Sequence, residues 1–152
     1  MRKQLLQVII ISFVFLAMPL FLFADEKPEV YAQLGHADLI ESLAFSPDGR
    51  YVVSIDGDGV LKLWDVSSER EIRTFNVPSG SIYDMYSVAY SPDGKYIVSN
   101  ATLTTSYAVM LWDVSSGREV RAFQGHDQKV NVVDFSSDGK YVVSGDHGGT
   151  IK

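Results

Sequence analysis

Internal duplication constrains this chain more than any other feature. FSPDGRYVVS at 45–54 returns as YSPDGKYIVS at 90–99 and as FSSDGKYVVS at 135–144. Over twenty positions, 35–54 shares ten identities with 80–99 and ten with 125–144. A second block, WDVSSEREIRTF at 64–75, recurs as WDVSSGREVRAF at 112–123 with nine identities in twelve. A generic strand pattern would share alternation, not the same Asp-Gly and Tyr at the same offsets. Units of this length cannot bury an apolar face alone, so a stack of similar modules is expected.

Each unit reads as four short strands. Residues 39–45 are apolar and end at Ser46-Pro47-Asp48-Gly49, where Pro presets φ and Gly supplies a positive φ for a hairpin turn. Residues 51–54 are β-branched and aromatic, a second strand. Asp56-Gly57-Asp58-Gly59 turns again, and residues 60–64 form the third strand. Val66-Ser67-Ser68 is a further turn, and 71–75 alternates polar and apolar as an exposed fourth strand. Helical spacing is absent beyond the N-terminal apolar run. The expected class is all-β.

Gly35-His36 and Gly125-His126 open units, while Trp64-Asp65 and Trp112-Asp113 close third strands. On these residues the chain, from about Glu29 to Lys152, resembles the WD-repeat (β-transducin-like) propeller family. The resemblance implies a β-propeller fragment of about two and a half four-stranded antiparallel blades around a central channel. It divides residues 25–152 into repeats at about 35–79, 80–124 and an incomplete 125–152. EVYAQLGH at 29–36 matches EVRAFQGH at 119–126 at five of eight positions, so 29–34 reads as a leading strand of the kind that closes such rings. Lys152 aligns with Lys62, two residues before Trp64. The expectation is therefore a C-terminally truncated fragment, an open arc with unpaired edges. The family also implies a hydrogen-bonded network in each blade. In the first it would join His36, Ser54, Asp58 and Trp64. The second has Trp112 but Ser81 in the His position, and the third has His126 and Ser144 with Gly148 in the Asp position.

Arg2 and Lys3 precede an apolar run over 5–23, followed at once by Asp25 and Glu26. This pattern reads as a secretory signal peptide over 1–24, and the run is also long enough for an uncleaved membrane anchor. Either reading places the remainder outside the cytoplasm, in a bacterial periplasm or extracellular, and the absence of cysteine fits that compartment. Membrane contact is expected only through 5–23. With 13 Lys+Arg against 19 Asp+Glu and a formal charge of −6, nucleic acid is not an expected partner.

Catalytic signals are missing. Without cysteine there is no thiolate nucleophile or thiolate metal site. No GxSxG elbow and no GxxxxGK phosphate loop occur. Asp56-Gly57-Asp58-Gly59 has carboxylates at alternate positions, but the closing Glu of a calcium loop is replaced by Ser67. His36 and His126 read as structural, and His147 as a solvated loop residue. No catalytic residue, metal site or cofactor is expected. The expected function is a protein-interaction scaffold, on fold-level analogy. The alternatives are an accessory propeller of a larger exported enzyme and a TolB-like envelope propeller.

Spacing also marks candidate contact loops. Phe45 to Trp64 spans 19 residues but Tyr90 to Trp112 spans 22, and Trp64 to Tyr90 spans 26 against 23 from Trp112 to Phe135. A base repeat of 42 thus carries two insertions of three, both in the second unit. The inserted regions, 76–86 and 100–107, hold Tyr83, Asp84, Tyr86, Thr104, Thr105 and Tyr107. Tyr supplies broad, rigid contact area with a polar tip, which suits a protein interface.

Overall fold

The first turn of every unit is built by the same two side chains, a Ser and an Asp, ahead of a Gly. Ser46 Oγ donates to Asp48 Oδ1 at 2.6 Å and accepts from Tyr51 N–H, while Asp48 accepts from Arg50 N–H. Ser91 with Asp93 and Ser136 with Asp138 repeat this pattern. Gly49, Gly94 and Gly139 sit at φ of 70°, 71° and 70°, a region that side chains disfavour. The turn therefore sets the pairing of the strands on either side of it.

The computed structural model describes residues 35–75, 85–103 and 106–152. The first sheet runs in order β1 (Ile40–Phe45), β2 (Tyr51–Asp56), β3 (Leu61–Asp65) and β4 (Arg70–Thr74). The second contains β5 (Val88–Tyr90), β6 (Tyr96–Leu103), β7 (Ser106–Asp113) and β8 (Glu119–His126). The third pairs β9 (Val130–Phe135) with β10 (Val142–Asp146), and an isolated bridge joins Gly145 to Ile151. All pairings are antiparallel. The described fold is thus two complete four-stranded sheets and half of a third. The expected signal or anchor over 1–24, the closure strand 29–34, and Tyr83, Asp84, Thr104 and Thr105 lie outside the described residues.

One expectation is corrected here. In place of the loop expected over 100–107, Asn100 to Leu103 continue β6 and Ser106 to Tyr107 begin β7. Asn100 pairs with Val109, Thr102 with Tyr107 and Leu103 with Ser106. The extra residues lengthen a hairpin in register instead of swelling its turn. Their content explains this, because Thr and Tyr suit a pleated ribbon.

The sheets meet along their first strands, β1 beside β5 and β5 beside β9. Strand alternation gives each sheet a forward and a backward face. Forward residues Val53, Ile55, Leu61 and Leu63 of the first sheet pack on backward residues Val88, Tyr90, Ile97, Met110 and Trp112 of the second. Val98 and Val109 on the forward face of the second sheet then pack on Val130, Val133, Phe135 and Val142 of the third. Phe75 and Trp112 meet edge to face across the first seam, with ring centroids 6.2 Å apart. At the rim Arg73 of β4 donates to the carbonyls of Ser115 and Ser116 in the β7–β8 turn, at 2.9 Å each.

Tyr90 enters the first seam with a hydroxyl that has no hydrogen-bond partner. Its repeat equivalents are Phe45 and Phe135. A buried unpaired hydroxyl costs about 1–3 kcal/mol. Tyr90→Phe is therefore expected to raise stability by roughly 1 kcal/mol in urea unfolding; a loss of stability would mean the hydroxyl has a partner in solution.

Candidate functional site

Two chains of polar side chains lie buried at the ends of the first and third sheets. In the first, Trp64 Nε1–H donates to Ser54 Oγ at 2.7 Å, and Ser54 Oγ lies 2.6 Å from His36 Nε2. His36 Nδ1 lies 2.7 Å from Asp56 Oδ2, and Asp56 Oδ1 accepts from Val60 N–H. With Ser54 accepting from Trp64, its own proton goes to Nε2, and the neutral imidazole then donates from Nδ1 to the carboxylate. Every group in the chain is satisfied, as buried polar groups require. Gly35 is fixed by the same contact, because a Cβ there would strike the Trp64 ring.

The carboxylate in this network is Asp56. Asp58, the residue expected from its place six before Trp64, is exposed and stands outside it. The physical reason is register: Asp56 is the last residue of β2, two beyond Ser54, and reaches the His ring that Ser54 also touches. The same offset corrects the third unit. Asp146, two beyond Ser144, takes the place assigned to Gly148, with His126 Nδ1 2.7 Å from Asp146 Oδ2 and His126 Nε2 2.8 Å from Ser144 Oγ. In the second unit Trp112 Nε1 donates to Ser99 Oγ at 2.9 Å, and Ala101 stands where the carboxylate would be.

Hydroxyl, imidazole and carboxylate in series also compose a nucleophilic triad. Here Ser54 and Ser144 are buried, and Ser54 Oγ is held by the Trp64 indole, so no substrate carbonyl can approach. Among the described residues no cluster of three or more His, Asp or Glu is placed to hold a metal ion. Nor is any helix among them long and apolar enough to cross a membrane.

Aspartate carboxyls elsewhere are held below the ordinary value of 3.8. Asp48, Asp93 and Asp138 are lowered first by the serine hydroxyls of their turns, then by backbone N–H groups. Asp65 and Asp113, the partners of the two Trp, are lowered first by Ser67 and Ser115. Asp146 is lowered first by His126, then by Thr150 N–H.

The inserted regions of the second unit come together on Asn100. Its Oδ1 accepts from Tyr86 N–H and Ser87 N–H, and its Nδ2 donates to the Val130 carbonyl at 3.0 Å. Lys129 reaches back to Tyr86, donating to its hydroxyl at 2.8 Å with the ammonium 4.0 Å from the ring centroid. Tyr107 is half-buried against the second core cluster. It borders a shallow depression of 490 Å³ with Ser106, Gln124, Gly125, His126 and Asp127. Sequence reasoning missed Asn100 as a structural residue; an amide between Ser99 and Ala101, two short side chains in the buried stretch of β6, is the signal that could have found it.

The family model described as WD domain, G-beta repeat matches residues 28–65, 69–113 and 117–152, most of the chain. The chain belongs to the WD-repeat family. The buried polar networks of its sheets are satisfied within the repeats and act as structural supports. Ribosome biogenesis protein BOP1 of Homo sapiens is 46% identical over 48 residues, 32% of this chain and 6% of that protein. Ribosome assembly protein 4 of Saccharomyces cerevisiae is 51% identical over 41 residues, 27% of this chain and 8% of that protein. The WD-repeat chain thus spans under a tenth of these curated relatives. A structure of U3-55K superposes with a TM-score of 0.69 at 26% identity, covering 78% of this chain and 36% of that one.

These relatives correct the compartment and the partner. They are proteins of eukaryotes named for ribosome biogenesis and ribosome assembly. The exported, periplasmic or extracellular placement is therefore withdrawn, while the signal or anchor expected over 1–24 lies outside the described residues. The exclusion of nucleic acid is withdrawn on the same finding. Composition misled there because an acidic average says nothing about one local surface.

Two outcomes follow. Asp56→Asn is expected to cost about 1–3 kcal/mol by leaving His36 badly paired, whereas exposed Asp58→Asn stays within about 0.5 kcal/mol; urea titrations of the two variants compare them directly. The lowered carboxyls are ionised in the fold, so the unfolded chain binds more protons in acid. Stability is fully present above their ordinary 3.8 and is lost as pH falls through the folded values. Melting temperature should be level above about pH 5 and fall steadily below it. A temperature that is constant down to pH 3 would contradict the assignment.

Proposed function

We propose that this WD-repeat chain binds another protein through the end of its second sheet that carries Tyr86 and Tyr107, together with the neighbouring Tyr83, Asp84, Thr104 and Thr105. The observation that carries the reading is the Asn100 clamp. One buried amide ties the backbone before β5 to the lengthened β6–β7 hairpin and to β9, so the two inserted segments share a rigid support. Binding residues on loops held by a fixed scaffold lose little freedom on association. Tyr rings half-exposed at such a site supply area at low entropic cost. The relatives named for ribosome biogenesis and assembly favour a partner within an assembly of that kind.

The test is quantitative capture of cross-linked partners by the full chain, identified by mass spectrometry. Replacing Tyr83, Tyr86 and Tyr107 together by Ala is expected to weaken capture about tenfold, near 1.4 kcal/mol of binding. Because Tyr86 and Tyr107 also pack, Tyr86→Phe with Tyr83→Ala serves as the conservative control, keeping the ring under Lys129. Unchanged capture by the triple variant, with its strand spectrum intact, would reject this surface.

A further inference from the structure

We draw no further inference here: the strongest candidate, the shallow depression between Tyr107 and Asp127 at the end of the second sheet, belongs to the contact surface already proposed, and nothing in the structure shows what covers it.

Discussion

Burial of one sheet's face against the next underlies every other feature of this molecule. A four-stranded sheet has two faces and no interior, so half of each module's core is supplied by its neighbour. Ile97, Val98 and Trp112 are wholly buried in the second sheet because it has neighbours on both sides. Leu43 and Phe45, the equivalents of its buried Val88 and Tyr90, and Val143, the equivalent of Val98, lie in the outer sheets and remain exposed. The difference is one of surroundings, not of residue type.

The polar networks serve that packing. A Trp, a Ser, a His and an Asp at the end of the first sheet form a chain in which each donor finds one acceptor. An unpaired member would be costly at this depth, so the chain fixes the strand ends and the Gly35 approach together. The same groups, arranged to be reachable, would make a nucleophile. Here the indole occupies the hydroxyl, and the geometry yields rigidity in place of reactivity.

The second unit departs from its neighbours by exchanging this device for another. It has no His or Asp in the network positions, and Asn100 takes up the work by joining three backbone segments. Its added residues extend a hairpin whose Tyr107 borders the depression next to His126, while Tyr86, ahead of β5, lies against Lys129. A rigid support under variable segments is the arrangement by which propellers present contact surfaces.

The duplicated Ser-x-Asp-Gly and Trp-Asp-Val-Ser-Ser blocks determined the strands, their turns and the family, because those turns are closed by side chains within five residues of one another. His36, Ser54, Trp64 and Ser144 were legible for the same reason: motif and strand position coincide. That Asp56 and not Asp58, and Asp146 and not the position of Gly148, meets the His ring was decided by strand register, which turns the residue two beyond the Ser toward it. Asn100 and the lengthened hairpin were likewise decided by register, through pairings that span the whole strand. Which faces are covered and which are left open was decided only by the stacking of sheets, because repeated sequences specify identical faces and only their neighbours distinguish them.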